Sequence, residues 1–132
     1  MWYFKNEPYE EIGEYIGYVY QITNLMNNKK YIGKKNFYFS KTKQVKGKKK
    51  RIKVESDWKS YYGSNKELQE DVNKYGEHNF RRDILMLCKS KGEFGYYEAK
   101  IQFENNVLER EDYYNTWIMC RVHKKHLTFL KR

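Results

Sequence analysis

Two tyrosine-containing tripeptides, Tyr18-Val19-Tyr20 and Tyr31-Ile32-Gly33, are the residues of this chain best suited to chemistry. Eleven positions separate Tyr20 from Tyr31, and the asparagine-rich segment 24–28 between them is a turn signal. A phenol can orient a water molecule or relay a proton, although an ordinary pKa near 10 makes it a poor base at neutral pH. A packed cross-strand aromatic pair is the common alternative for tyrosines on adjacent strands.

A carboxylate and an amide later in the chain are candidates to join these tyrosines. Glu98 comes four positions after Phe94 and three before Ile101, in a segment whose apolar residues recur at helical spacing. It therefore lies beside an apolar stripe and can face the sheet rather than water. Asn115 stands 17 positions after Glu98, next to Tyr114. An exposed helix glutamate and a turn-forming asparagine are the alternatives for these two residues.

The charge of the chain favours a polyanionic partner. Its 132 residues include 27 Lys and Arg against 17 Asp and Glu, a net charge of +10. Residues 29–53 hold 12 of these cations and no acid, without helical or strand periodicity. We predict a flexible loop or a long, twisted hairpin that contacts nucleic acid, with a solvated loop as the alternative. The predicted contacts are Lys34, Lys35, Lys43, Lys46, Lys48, Lys49, Lys50 and Lys53.

Several classes of protein are excluded by composition. No apolar run approaches the roughly 18 residues of a transmembrane helix, and the first residues lack the pattern of a signal peptide. Cys88 and Cys120 are too few for a disulfide framework, which favours a reducing, intracellular setting. Together with His123 and His126 they match no zinc-ligand spacing, so we predict no zinc site.

The elements that position these residues follow from periodicity and capping signals. Ser64 and Ser90 each precede a helical pattern with Glu three residues later, and Gly76 is a helix stop. The predicted segments are a lead-in at 1–15, strands at 16–22, 29–33 and 80–87, a basic insertion at about 36–56 and a basic C-terminal segment at 119–132. We predict one domain over residues 1–132, of α+β class: a small three-stranded antiparallel sheet flanked by helices, with the basic insertion after the second strand.

The order and separation of these motifs resemble the GIY-YIG nuclease family. In that family two tripeptides lie on adjacent strands with both tyrosines facing the active site. The resemblance covers roughly residues 17–117, and it extends through Glu98 on a later helix to the Tyr114-Asn115 pair. It departs from the family pattern at Tyr18, which stands in place of the first glycine, and at Val19, which stands in place of isoleucine.

The resemblance implies a role for each candidate residue. Tyr20 and Tyr31 would orient a water molecule or accept its proton, Glu98 would bind one Mg²⁺ or Mn²⁺ ion, and Asn115 would position Glu98 or a water on the ion. The family usually carries an arginine on the first helix after the second tripeptide, and this chain has the basic insertion there. Lys59 is our first candidate for that cation, and Arg51 is the alternative.

The resemblance implies a metal-dependent DNA endonuclease that leaves 5′-phosphate and 3′-hydroxyl ends. Compact basic members of this kind are phage-type or homing enzymes, so we expect homing or cleavage of host or competitor DNA in the host cytoplasm. We expect no membrane partner, no small-molecule cofactor, a monomer or a DNA-induced dimer, and low or modest sequence specificity. The alternatives are a nucleic-acid-binding protein that retains the fold without catalysis, and a module that docks on an acidic protein.

Overall fold

The computed structural model describes residues 1–121 and 123–131, so the predicted C-terminal segment at 119–132 lies outside the described residues at Val122 and Arg132. The strands are β1 (Trp2–Phe4), β2 (Glu7–Tyr9), β3 (Gly17–Asn24), β4 (Lys30–Asn36), β5 (Tyr38–Val45), β6 (Lys48–Glu55) and β7 (Phe80–Cys88). The α-helices are α1 (Lys66–Tyr75) and α2 (Lys91–Glu104), and 3₁₀ turns occupy Trp58–Ser60, Glu77–Asn79 and Lys124–Lys131. None of the helices in the described part of the chain has the length and apolar character needed to cross a membrane.

The sheet that carries the tyrosines has five strands in the order β2-β1-β7-β3-β4. The α+β class is confirmed, but the sheet is larger than the predicted three antiparallel strands and is not antiparallel throughout. The three predicted strands, β3, β4 and β7, pair antiparallel with one another. The predicted lead-in supplies the other two strands, and β1 pairs parallel to β7, which makes the sheet mixed.

The N-terminal strand β1 packs against the tyrosines of β3 through Trp2. Trp2 is buried, and its ring meets those of Tyr18 and Tyr20 edge-on, at centroid distances of 4.9 and 5.4 Å. Its indole N–H donates a 2.6 Å hydrogen bond to the carbonyl of Trp58. Burial of such large aromatic side chains, with edge-to-face geometry, makes this cluster a main source of core stability. Trp2 is therefore part of the core that holds Tyr20 in place, with Phe4 and Tyr9 packed against it.

Two packed layers cover the two faces of the sheet. Tyr18, Tyr20 and Ile22 of β3 point to one face, where they pack with α1 through Leu68 and Val72. Val19 and Ile32 point to the opposite face and pack with α2 through Phe94, together with Val107 and Tyr113. This alternation follows from the two-residue period of a strand, and it places the tyrosines and α2 on opposite faces of the sheet.

The β3–β4 hairpin brings the two tripeptides together, with Tyr20 opposite Gly33. A Cβ atom at Gly33 would lie 2.7 Å from the Tyr20 hydroxyl oxygen and 2.8 Å from Cε2 of Tyr31. Glycine is therefore required at this position because the two tyrosine side chains occupy the space that any larger residue needs.

We expect Gly33→Ala to destabilise the protein by about 1–3 kcal/mol, because the added methyl group meets two packed tyrosines rather than a mobile side-chain end. Gly95→Ala is the matched control. Its Cβ has only Lys34 Nζ within 4 Å, at 4.0 Å, and it lies inside α2. That change should stabilise the protein by up to about 1 kcal/mol through helix propensity. Urea unfolding of both variants measures the difference, and equal stabilities would contradict the steric argument.

Both α-helices begin and end at local signals. Ser90 caps α2 as predicted, its hydroxyl accepting from the Glu93 N–H. The cap of α1 is Asn65 rather than the predicted Ser64, since the Asn65 side chain accepts from the Leu68 N–H at 2.9 Å. Asparagine is as good a cap as serine, and the one-residue shift leaves the Ser64 hydroxyl available to the site described below. Gly76 ends α1 at a φ of 90°, as predicted.

The basic insertion is a two-stranded antiparallel hairpin, β5 with β6, separate from the main sheet. Its loop is Lys46-Gly47, and both residues have positive φ, the geometry of a two-residue hairpin turn that matches strand twist. Of the two predicted forms, loop and twisted hairpin, the structure has the hairpin. Its base is fixed to the domain by the 2.7 Å bond from the Ser56 N–H to the carbonyl of buried Phe37.

Candidate active site

The candidate site is built on the free edge of β4, the last strand of the sheet. An edge strand presents outward N–H and C=O groups that need partners. At Lys30 the main chain of residues 112–114, which follow α2, provides them: the Lys30 N–H donates to the carbonyl of Asp112 at 2.9 Å, and the Lys30 carbonyl accepts from the Tyr114 N–H at 2.7 Å. Asn115, the next residue of this segment, therefore lies beside Ile32, two residues further along β4.

Asn115 binds both main-chain groups of Ile32, the central residue of the second tripeptide. Its Oδ1 accepts from the Ile32 N–H at 3.1 Å, and its Nδ2 donates to the Ile32 carbonyl at 2.8 Å. Gln102 on α2 donates to the same carbonyl at 2.8 Å. The buried amide of Asn115 thus holds the backbone of β4 between Tyr31 and Gly33, and this fixes the direction of the Tyr31 side chain.

Glu98 contacts the same edge of β4 two residues beyond Ile32, at Lys34. Its carboxylate accepts a hydrogen bond from the main-chain N–H of Lys34. Burial raises the pKa of Glu98, while the Lys34 ammonium and this hydrogen bond partly oppose the rise. Glu98 is held inward because Phe94 and Ala99 on the same helix are buried against the sheet. The result is a half-buried carboxylate with a fixed position at the edge of β4.

These residues line one cavity of about 350 Å³. Tyr31, Glu98 and Asn115 are all in its wall, so the structure brings together three of the residues predicted from the sequence. Trp117 and Met119 form an exposed apolar rim on one side. The other lining residues are Ser64, Asn65, Gln102 and Thr116.

The hydroxyl groups of Tyr20, Tyr31 and Tyr61 lie close together, and of these three residues Tyr31 lines the cavity. Tyr20 is fully buried, and its hydroxyl bonds with that of Tyr61. Tyr31 reaches the cavity, with its hydroxyl 3.4 Å from Ser64 Oγ. Burial is the main cause that raises the pKa of both Tyr20 and Tyr31 above the ordinary value for tyrosine. Both phenols are therefore held in the protonated form, which suits donation of hydrogen bonds better than abstraction of a proton.

Two lysines of β4, Lys34 and Lys35, bring positive charge to this part of the molecule. Lys34 interacts electrostatically with Glu98, and its Nζ lies 4.9 Å from the centre of the Phe94 ring. Lys35 is 4.1 Å from the centre of the Tyr61 ring and forms a 2.6 Å ion pair with Asp57. Positive charge therefore stands next to Glu98 and next to the tyrosine cluster.

The two cations favoured from the sequence lie elsewhere. Lys59 lines a different cavity, with Trp2, Glu10 and Glu11 among its walls, and its Nζ is 5.7 Å from the centre of the Trp58 ring. Arg51 lies on β6 opposite Thr42, with an exposed side chain. The structure does not bring either residue into the cavity that contains Glu98.

The remaining predicted nucleic-acid contacts are on the exposed β5–β6 hairpin. All of these lysines have exposed side chains: Lys43, Lys46, Lys48, Lys49, Lys50 and Lys53. Their density gives the hairpin a strongly positive potential suited to phosphate groups. Their contact with nucleic acid stays a prediction.

The donors in the cavity fit a single divalent ion. Glu98 is its carboxylate, and Gln102, four residues later on the same helix face, has a buried Oε1 without a hydrogen-bond partner among the described residues. No group of three His, Cys, Asp or Glu side chains in the described ranges could hold a metal. Mg²⁺ commonly takes one or two carboxylates and keeps several waters, so a polar cavity with one carboxylate and one amide oxygen fits it.

Sequence reasoning missed several residues of this site. Tyr61, Ser64 and Gln102 contact the predicted residues, and Trp117 lines the rim. The place of Gln102 in the site could have been predicted from the sequence, because a residue four positions after Glu98 shares its helix face. Tyr61 and Ser64 carried none, because a 3₁₀ turn at Trp58–Ser60 and the shifted cap of α1 determine their positions.

The family model and the curated relatives that match the chain agree on one family. The family model described as "Putative endonuclease segE, GIY-YIG domain" matches residues 2–118. The chain is 36% identical over 98 residues to "Putative endonuclease segE" of Enterobacteria phage T4, which is 74% of this chain and 39% of that protein. It is 34% identical over 100 residues to "Putative endonuclease segD" of the same phage, 76% of this chain and 37% of that protein.

The chain thus spans about two fifths of the length of the curated relatives it matches. The matched residues include both tripeptides, Glu98 and Asn115, because the family model extends over them all. No solved structure matches the chain significantly.

Proposed function

The chain belongs to the GIY-YIG nuclease family, and on that premise we propose that it is a metal-dependent endonuclease that hydrolyses phosphodiester bonds in DNA. The observation that carries the proposal is the meeting of Tyr31, Glu98 and Asn115 in one cavity at the edge of β4. The net charge of +10 supports a polyanionic substrate.

Glu98 and the unpartnered Oε1 of Gln102 would hold one Mg²⁺ or Mn²⁺ ion. When bound, the ion supplies Lewis-acid stabilisation of the phosphate and of the leaving oxygen. The carboxylate is the essential donor, because it brings the only acidic charge among the described residues that line the cavity. Its burial disfavours the ionised form, so an arriving cation offsets an energetic cost already present in the fold.

Tyr31 would orient the attacking water through its protonated hydroxyl. Ser64 Oγ, 3.4 Å away, is placed to exchange a hydrogen bond with that hydroxyl. Tyr20 lies behind it and bonds with Tyr61, so it acts as a positioning residue and does not touch the substrate. Asn115 is also a positioning residue, because both of its amide atoms are taken by the main chain of Ile32.

We assign to Lys34 the cation that offsets charge developing on the phosphate, since its ammonium is the one that interacts with Glu98. Lys34→Ala should lower the cleavage rate at saturating DNA by about 10- to 100-fold, less than loss of a buried donor because Lys34 is exposed. The hydrogen bond to Glu98 survives this change, because it comes from the main chain of Lys34. Single-turnover cleavage at matched DNA occupancy measures the effect.

Lys59→Ala and Arg51→Ala are the comparison variants for the cation. Each should change the single-turnover rate by less than about threefold if Lys34 carries the role, since Lys34 interacts with Glu98 whereas Lys59 lines a different cavity and Arg51 lies on the β5–β6 hairpin. A large loss in either variant, with Lys34→Ala near the wild-type rate, would move the role to that residue.

Cleavage of supercoiled plasmid in Mg²⁺, compared with EDTA, tests the proposed function itself. Conversion to nicked or linear DNA only in Mg²⁺, with 5′-phosphate and 3′-hydroxyl ends, is the expected result. No conversion by a protein that still binds DNA would favour a binding protein that retains the fold. Homing, cleavage of host or competitor DNA, action in the host cytoplasm and DNA-induced dimerisation stay predictions that this assay leaves open.

A further inference from the structure

The β5–β6 hairpin has two chemically different faces. Side chains of paired strands alternate between faces, and the register places Thr42 opposite Arg51 and Gln44 opposite Lys49. What we call the polar face carries Ser40, Thr42, Gln44, Lys49, Arg51 and Lys53, with Tyr38 and Glu55 at its base. What we call the ammonium face carries Lys41, Lys43, Lys48 and Lys50 among the apolar residues Phe39, Val45, Ile52 and Val54.

The dimensions and charge of the hairpin match the major groove of DNA. Each strand has eight residues, which span about 26 Å at a rise of about 3.3 Å per residue. All side chains of β5 are exposed, and residues 38–55 carry eight Lys or Arg against one Glu. A two-stranded ribbon fits the major groove, which is about 12 Å wide. The Lys46-Gly47 turn gives the tip the tight loop that such insertion needs.

We propose that this hairpin is a ribbon that enters the major groove, with the polar face on the base edges and the ammonium face toward phosphates. The proposal rests on the proposed function, since it takes duplex DNA as the substrate. Arginine pairs bidentately with guanine, glutamine with adenine, and threonine contacts the thymine methyl, so the polar face has side chains that distinguish bases. The lysines of the ammonium face provide point charges, which neutralise phosphates without reading sequence.

The base of the ribbon is joined rigidly to the candidate active site. β4 carries Tyr31 and Lys34 and continues into β5 through Phe37, whose side chain is fully buried and whose N–H bonds to the carbonyl of Ile16. Ser56 closes the other strand onto Asn36 and Phe37. A base sequence bound by the polar face would thus be held at a fixed offset from the cavity of Glu98. The ribbon therefore sets where cleavage falls, which goes beyond the low or modest specificity expected from the sequence.

A selection of bound duplexes from a randomised pool tests this inference without requiring cleavage. It uses the full chain carrying Glu98→Gln, which keeps the substrate intact. The polar-face variant adds Thr42→Val, Gln44→Met and Arg51→Lys, which keep size and net charge. The ammonium-face variant instead adds Lys41→Gln, Lys43→Gln, Lys48→Gln and Lys50→Gln. Unfolding midpoints near that of the parent check that these exposed changes leave the core intact.

We expect the parent to enrich a base pattern and the polar-face variant to lose it, with total DNA affinity within about threefold. The ammonium-face variant should keep the pattern but bind every duplex more weakly. Its slope of log affinity against log salt should become shallower by about 0.9 for each phosphate that its side chains no longer neutralise. Each variant is thus the matched control for the other.

Two results would overturn the inference: no enriched pattern for the parent, or the same pattern in the polar-face variant. The hairpin would then act through charge alone. Because the readout is binding, failure here is separate from failure of the proposed function. If the wild type cleaves plasmid DNA but the selection shows no base preference, only the ribbon proposal fails. If the selection shows base preference but the wild type does not cleave, only the proposed nuclease function fails.

Discussion

Replacing Glu98 with glutamine is expected to lower the DNA cleavage rate by about 100- to 10,000-fold while leaving DNA binding nearly unchanged. Glutamine keeps the shape of the side chain, and its Oε1 can still accept from the Lys34 N–H that Glu98 uses. It lacks the negative charge that would hold the ion. Single-turnover cleavage in saturating Mg²⁺ and DNA measures the loss, and Glu104→Gln, an exposed carboxylate on the same helix, is the matched control.

The same substitution should raise the thermal stability at neutral pH by a few degrees, measured without divalent ions. Burial raises the pKa of Glu98 in the folded protein, so folding favours the protonated carboxyl and ionisation destabilises the fold as pH rises through that pKa. Glutamine is neutral at every pH, so its advantage should shrink toward pH 4. A fall in the stability of Glu98→Gln at pH 7 would contradict the argument that burial of the ionised carboxylate destabilises the fold.

Cleavage by Glu98→Gln at the wild-type rate would show that Glu98 has no part in the proposed mechanism.

The sequence predicted the parts of the site that depend on local signals. The two tripeptides were identified by spacing, and the helix that presents Glu98 begins at the predicted Ser90 cap. Strand alternation then explains why Tyr20 and Tyr31 share a face of the sheet. The meeting of Tyr31, Glu98 and Asn115 followed from resemblance to a family rather than from periodicity, since these residues are distant along the chain.

The rest depended on contacts between distant residues that no local pattern carries. The N-terminal residues form strands because β1 pairs with β7, eighty positions later along the chain, and β2 pairs with β1. Lys59 is the first candidate from the sequence because it follows Trp58, and a buried tryptophan fixes the geometry of its segment. Trp58 is fully buried, and the segment is also held by Arg82, whose buried guanidinium donates to the carbonyls of Lys59 and Tyr61 at 3.0 and 2.8 Å. A main-chain contact of this kind leaves the direction of the Lys59 side chain undetermined by sequence.

The resemblance implies that Asn115 positions Glu98 or a water on the ion, whereas its amide binds the main chain of Ile32. Asn115→Asp tests this positioning role against direct binding of the metal. If the side chain bound the metal directly, an aspartate would keep or raise Mg²⁺ affinity, because carboxylates are preferred ligands. In the structure the Nδ2 of Asn115 donates to the Ile32 carbonyl at 2.8 Å. Aspartate would place an oxygen against that carbonyl, losing one hydrogen bond and bringing a charge into a buried position.

We therefore expect Asn115→Asp to destabilise the protein by about 2–4 kcal/mol at pH 7 and to lower cleavage about 10- to 100-fold without tightening Mg²⁺ dependence. Urea unfolding and a Mg²⁺ titration of the cleavage rate measure the two effects. Asn73→Asp, an exposed asparagine on α1, is the control for the charge change alone. A stable variant that needs less Mg²⁺ would indicate instead that the side chain at position 115 binds the metal. A destabilised variant with unchanged Mg²⁺ dependence would establish that the amide acts by holding Ile32, and through it Tyr31, at the edge of the sheet.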